Sequence, residues 1–304
     1  GFPISSPGNP PHGRPELARL SPSSEKIGNQ AGSEETSSAA RQAVSERPGE
    51  SFFFATFGTC KLSFRMAKLT LLGTGTSQGV PVISCHCRVC LSPDERDKRL
   101  RTSALIETGR ETILIDAGPD FRQQMLRAGV ERLDGILLTH EHKDHISGLD
   151  DVRAFNYTSG APVKLYAEER VQKRVKQDFD YAFSEHPYPG VPEIDLHTIR
   201  SDEPFSIGQT RIVPIRGIHY KLPVLGFRIG PLAYLTDMNR IDEREIDKIR
   251  GVDTLVINAL RKEPHLSHFT LADALRISRA VSSNVTYLTH VSHQMGRHAE
   301  EQAA

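Results

Sequence analysis

The segment Leu133–His145 constrains this chain more than any other: the apolar run LDGILLT leads directly into HEHKDH. Leu133–Thr139 is the kind of unbroken apolar stretch that forms a strand buried on both faces. Residues two apart on an extended segment point the same way, so His140 and His142 converge on one cation. Asp144 and His145 then turn into the next helix and reach a second cation nearby. Neutral imidazole and carboxylate are ligands that Zn, Mn and Fe accept. The competing reading is a polar loop that holds its His by chance. Four metal-competent side chains within His140–His145 weigh against it.

A second cluster lies upstream. Cys85-His86-Cys87-Arg88-Val89-Cys90 carries three of the four Cys of the chain. Three thiolates on a tight loop fill three corners of a tetrahedron, and a structural Zn needs a fourth. His293 is the favoured donor, three residues after His290; His86 is a rival, and reduced, unligated thiols are the plain alternative. So few Cys, so crowded, do not make a disulfide framework, and the reading places the chain in the reducing cytoplasm.

Composition excludes other classes. Lys plus Arg and Asp plus Glu number 38 each, so bulk electrostatics gives no support for a nucleic-acid partner. No run approaches the roughly 18 apolar residues of a membrane span. Residues 1–50 are rich in Pro, Ser and Gly and hold one Phe, which predicts disorder. Met66 opens a strand-like run, MAKLTLLGTG. The expected organisation is a disordered leader or non-native extension over 1–65 and one domain over 66–304.

Within the domain, Leu69–Leu72, Ser103–Thr108, Thr112–Asp116 and Val163–Tyr166 read as strands. So do Thr210–Ile215, Val224–Ile229, Leu232–Thr236, Thr254–Asn258 and Val285–Thr289. Phe121–Ala128 reads as a helix ended by Gly129, and Glu168–Phe183 and Asp242–Arg250 also read as helical. Thr270–Val281 is a helix with Thr270 as N-cap and Asp273 close to a capping box. Strands first, then strands alternating with helices, predict an α/β sandwich with helices outside.

The spacing His140, His142, Asp144, His145 resembles the His-x-His-x-Asp-His signature of the metallo-β-lactamase superfamily. The resemblance implies an αββα sandwich, two mixed β-sheets flanked by helices. It also implies three later ligands at strand ends, where His219, Asp237 and His290 stand. By resemblance, His140, His142 and His219 hold one divalent metal, Asp144, His145 and His290 hold the other, and Asp237 bridges. The Cys loop narrows the likeness to the PhnP type, phosphoribosyl cyclic phosphate phosphodiesterases. The agreement covers nearly all of Met66–Ala304, through LLGTGTSQGVP, ILIDAG, LLTHEHKDH, YLTD and LTHVSH.

That likeness implies a structural Zn on Cys85, Cys87, Cys90 and His293, and Mn or Zn at the dinuclear site. It implies hydrolysis of a small cyclic phosphodiester such as 5-phosphoribosyl 1,2-cyclic phosphate by a metal-bridged hydroxide, with Asp144 and His268 catalytic. His268, as general acid, competes with a helix-capping role, and His265 is the weaker rival. Asp116 is expected to orient a ligand His, with a plain turn Asp as the alternative. Gly73-Thr74-Gly75 lacks the remaining features of a dinucleotide fingerprint and reads as a turn. Arg101, Arg153, Lys221 and Tyr220 are weak candidates for substrate contact. A tRNA 3′-processing-like nuclease and a PqqB-like cofactor-synthesis protein are the alternative functions. The partner expected is a small phosphorylated substrate, with a homodimer possible in principle and no membrane. Eleven residues follow His293, fewer than the family carries, so the C-terminus reads as cut short.

Overall fold

The computed structural model describes residues 51–56, 58–61 and 67–303. Two sheets face each other. The first contains β1 (Ser51–Phe54), β9 (Phe205–Ile207), β10 (Thr210–His219), β11 (Leu222–Ile229), β12 (Leu232–Leu235), β13 (Arg240–Ile241), β14 (Thr254–Asn258) and β15 (Val285–Thr289). Its order is β1-β15-β14-β12-β11-β10-β13, with β9 also on β10. The second contains β2 (Gly58–Lys61), β3 (Lys68–Gly73), β4 (Ser103–Glu107), β5 (Thr112–Ile115), β6 (Gly135–Leu137), β7 (Val163–Ala167) and β8 (Ile194–Thr198), paired in that order. Both are mixed: β2 to β5 pair antiparallel and β5 to β8 parallel. β1, β15, β14 and β12 pair parallel, and β12, β11 and β10 antiparallel.

Side chains alternate between the faces of a strand, and the apolar strands use both faces. Ile113 and Ile115 join Leu69, Ile106, Phe227, Tyr234 and Val256 between the sheets. Leu114, between them in sequence, turns outward with Leu105 and Ile136 onto Phe121 and Met125 of α1 (Phe121–Ala128), Phe155 of α3 (Arg153–Ser159), and Val171 and Val175 of α4 (Glu169–Asp178). On the other side Leu255, Ile257 and Leu288 pack on Ile246 of α5 (Glu243–Asp247) and on Ala274, Ile277 and Val281 of α6 (Leu271–Val281). The result is the expected αββα sandwich. The short α2 (Lys143–Ile146) sits at the strand ends, and α7 (His298–Ala303) closes against β1.

The expected boundary at residue 66 is corrected. β1 adds in parallel to β15 and β2 pairs with β3, so residues 51–61 supply strands to both sheets. Runs of four residues carry too little periodicity to read as strands on their own. Residues 1–50, expected to be disordered, lie outside the described residues. Among the described residues no helix is long and apolar enough to cross a membrane.

Candidate metal centres

Each member of the first centre stands where a strand of one sheet or the other ends. Thr139 and His140 leave the β6 strand, α2 begins at Lys143, His219 is the last residue of β10, and Asp237 and His290 follow β12 and β15. Asp116, Asp237 and His290 take φ of 61°, 55° and 54°. Left-handed backbone is uncommon outside glycine and concentrates at functional sites. Here it turns the strand ends so that the side chains meet. Gly118 lets the metal loop approach, because a Cβ there would lie 2.0 Å from the Asp144 carbonyl oxygen.

Donor atoms of His140, His142 and His219 lie within 4.8 Å of one another, and so do those of Asp144, His145, Asp237 and His290. Two nitrogen or oxygen donors each about 2.1 Å from one cation stand about 3.0 Å apart at a right angle and about 3.4 Å apart at the tetrahedral angle. His140 Nε2 is 3.0 Å from His142 Nδ1. His145 Nε2 is 3.1 Å from both Asp144 Oδ2 and Asp237 Oδ2, and His290 Nδ1 is 3.0 Å from Asp237 Oδ2. His145 Nε2 and His290 Nδ1 are buried and make no hydrogen bond, and such buried polar atoms call for a partner. The donor set therefore fits two divalent cations.

The opposite ring nitrogens are fixed by other groups. His145 Nδ1 donates to Asp116 Oδ2 at 2.6 Å. His140 Nδ1 meets Thr139 Oγ1 at 2.9 Å, and that hydroxyl donates to Asp116 Oδ2 at 2.8 Å. His219 Nδ1 donates to the Ser267 carbonyl oxygen at 2.7 Å. In all three rings this leaves the Nε2 lone pair for a cation. Arg170 bonds Glu141, between two ligands, and also donates to the Pro223 carbonyl oxygen of β11 at 2.6 Å, so it ties the two sheets at this spot.

Electrostatics follows from burial and crowding. Burial, and then the charge of His145, pushes His140 well below the usual imidazole value. Burial opposes a charge on His145, but Asp144, Asp237 and Asp116 outweigh it and hold that ring well above, so positive charge is favoured at Nε2, where a cation would take the place of the proton. Burial likewise opposes ionisation of Asp237, and His290 and His145 hold it well below the carboxylate range. Burial lifts Asp116, which His145 and Thr139 offset in part.

His268 stands beside these groups. Its ring is 4.6 Å from that of His219 and 4.7 Å from that of His290, centroid to centroid, and its Nδ1 is 3.7 Å from Asp237 Oδ1. Burial, then His290, pushes it down to about 2, so it is neutral at pH 7. His265 is exposed, and its ring lies tilted by 32° at 5.2 Å from that of His268. Arg101 is engaged by Asp120 and by the Ser77 carbonyl oxygen, and Arg153 by Asp150. Gly73 ends β3 and Gly75 bridges in extended form to Arg101 and Val291, so the expected turn at Gly73–Gly75 is corrected: the chain turns at Thr76–Gly79, where the Gly79 amide donates to the Thr76 carbonyl oxygen at 2.7 Å.

In the second cluster, Cys85, Cys87 and Cys90 place Sγ 3.3, 3.4 and 3.4 Å from His293 Nδ1. Sulfur and nitrogen on one tetrahedral Zn stand about 3.6 Å apart, so this set fits a zinc ion. The Cys90 amide donates to Cys87 Sγ, and chiefly for that reason Cys87 falls to about 6, while burial pushes Cys90 up to about 11. His86 is exposed and is not among the converging donors. Thr139, Arg170 and Ser267, which bond to the donors or to the loop between them, are not among the site residues expected from sequence. Only Thr139, next to a ligand, carried a signal.

Known proteins share this fold. A family profile described as beta-lactamase superfamily domain matches residues 111–291. The chain is 44% identical over 232 residues to an octanoyltransferase of Porphyromonas gingivalis, covering 76% of this chain and 47% of that one. It thus spans about half the length of that relative, whose name describes the longer protein. A crystal structure of a new diphosphatase from the PhnP family is 39% identical with a TM-score of 0.72, covering 77% of this chain and 90% of that one. Zn(2+)-bound PqqB from Methylobacterium extorquens shares the fold, at 20% identity and a TM-score of 0.61 over 75% of this chain and 89% of that one. This chain belongs to the PhnP family of the beta-lactamase superfamily.

Proposed function

We propose that the chain is a dinuclear metal-dependent hydrolase of small phosphodiesters, with 5-phosphoribosyl 1,2-cyclic phosphate as the substrate that the PhnP likeness suggests. The observation that carries the reading is two adjoining donor sets beside a third group, in which Asp237 meets His219 and His268. Two divalent cations there would lower the pKa of a bound water toward neutrality and offset the charge that builds on the phosphoryl oxygens. The remaining roles belong to the chain. His140, His142 and His219 would hold one cation, and Asp144, His145 and His290 the other, with Asp237 between them. His268, whose ring lies beside those of His219 and His290, would meet the departing oxygen and supply its proton. The His219–Ser267 bond keeps the loop of His268 in register with the donors. Cys85, Cys87, Cys90 and His293 would hold a structural Zn.

A second reading has one observation behind it. The relative at 39% identity is called a diphosphatase, and the same residues would serve a phosphoanhydride. The test is metal content together with turnover of bis(p-nitrophenyl) phosphate, cyclic phosphoribose and inorganic diphosphate, each with added Mn or Zn. The expected result is three metals per chain, and phosphodiester turnover that Asp144→Ala lowers at least ~100-fold with an unchanged circular dichroism spectrum. Turnover of diphosphate alone selects the second reading. No turnover of any of the three overturns both.

A further inference from the structure

We propose that Tyr220, with Lys221 and Leu266, forms a lip that stacks the planar base of a nucleotide beside the metal donors. The proposal rests on the hydrolase reading and names a substrate class for that site. It begins with a residue that does not suit its turn. His219 and Leu222 pair across β10 and β11, which leaves Tyr220-Lys221 as a two-residue hairpin loop. The favoured loops of this length need positive φ at their first residue and take Gly, Asn or Asp there. The residue here is Tyr220, at φ 59°. Left-handed backbone strains a bulky L-residue and persists only where its surroundings enforce it. Burial does not account for it, because Tyr220 is 49% exposed.

Asn239 does the enforcing. Its Oδ1 accepts from the Tyr220 amide at 2.8 Å, and its Nδ2 donates to the Leu266 carbonyl oxygen at 3.0 Å. Leu266 is 68% exposed. Tyr220 follows His219, Asn239 lies two residues past Asp237, and Leu266 lies two residues before His268. One asparagine thus fastens an exposed ring and an exposed aliphatic side chain to the loops that carry His219 and His268. Lys221 Nζ lies 5.2 Å from the centroid of the Tyr220 ring. A flat aromatic surface, an aliphatic neighbour and an ammonium group together match a heteroaromatic base that carries phosphate. A ribose phosphate would use the ammonium group and leave the ring idle.

The test is calorimetric titration of the metal-loaded chain with adenosine 5′-monophosphate and with ribose 5-phosphate. Both bring the same phosphate, so the difference isolates the base. The nucleotide is expected to bind roughly tenfold tighter to the wild type, the scale of stacking on one aromatic ring. Tyr220→Asn closes the gap with no fall in melting temperature, since Asn tolerates this backbone, and Tyr220→Phe keeps it. Equal affinities in the wild type overturn the proposal, as does a gap that survives in Tyr220→Asn. A melting temperature lowered by about 5 °C or more in Tyr220→Asn also overturns it by making the residue structural. The titration reads binding, so failure of the hydrolase reading shows separately, as absence of turnover.

Discussion

Asp116 is fully buried and belongs to neither donor set, yet it fixes two imidazoles of the candidate centre, His145 directly and His140 through Thr139. It also accepts from the Thr139 amide at 2.8 Å, which sets the backbone just before the first ligand. Asp116→Ala removes all three restraints and leaves the Thr139 amide unpaired in the interior. Metal affinity measured by chelator competition is expected to fall roughly 10–100-fold, while Asp116→Asn, which keeps the shape, loses less. Equal affinity in Asp116→Ala and wild type would reduce Asp116 to a turn residue. The sequence announced the donors because three His and an Asp in six positions have few other uses. It could not announce Arg170 or Asn239, whose partners lie at Pro223 and Leu266 on other elements.

At the scale of elements, the match between expectation and structure follows how much of the pattern is local. α1, β14 and β15 begin and end where periodicity and turn residues predicted. The capping box of α6 is complete, with Thr270 and Asp273 bonded in both directions. β10 runs on to His219, past the expected end at Ile215. Arg216 and Gly217 mask that extension in sequence, and the pairing with β11 sustains it. β8 carries little signal in sequence because it is a half-exposed edge strand after a proline-rich loop.

One inter-element link has a pH signature. Glu111, at the β4–β5 turn, accepts from Thr108 Oγ1 at 2.8 Å, from the Gln209 amide at 2.9 Å and from Thr210 Oγ1 at 2.7 Å. It therefore clips a hairpin of one sheet to a hairpin of the other. Chiefly through the Gln209 amide and the Thr210 hydroxyl, its carboxyl is held below the usual value. A lowered carboxyl pKa stabilises the fold above the unfolded value of about 4.3, and that stability is lost as pH falls through the folded value. Glu111→Gln is expected to cost roughly 1–2 kcal/mol at pH 7 in urea unfolding, with the gap closing below about pH 4. A gap of the same size at pH 3 would show that the charge is not its source.

At the scale of the whole molecule, cations held at the two candidate centres would act as cross-links. The first centre draws His140, His142, Asp144 and His145 from the β6 side of one sheet, and His219, Asp237 and His290 from strands of the other. The second joins the loop of Cys85, Cys87 and Cys90 to His293, more than 200 residues away. Arg88, inside that loop, pairs with Glu300 of α7 at 2.7 Å, and Gln302 of α7 accepts from the Phe54 amide of β1 at 3.2 Å. The cysteine cluster is thus continuous with the edge strand β1. Metals that bind only the folded chain stabilise it by mass action, about 4 kcal/mol per site at 1,000 times Kd. For a domain of this size that is ~8–16 °C per site in melting temperature. Chelation of the wild type should lower the melting temperature in two steps, one for each centre. Cys85→Ser should abolish the step of the structural site and keep the other, and Asp144→Ala should do the reverse. A melting temperature that does not respond to chelation would show that the two sheets hold together on their apolar interface alone.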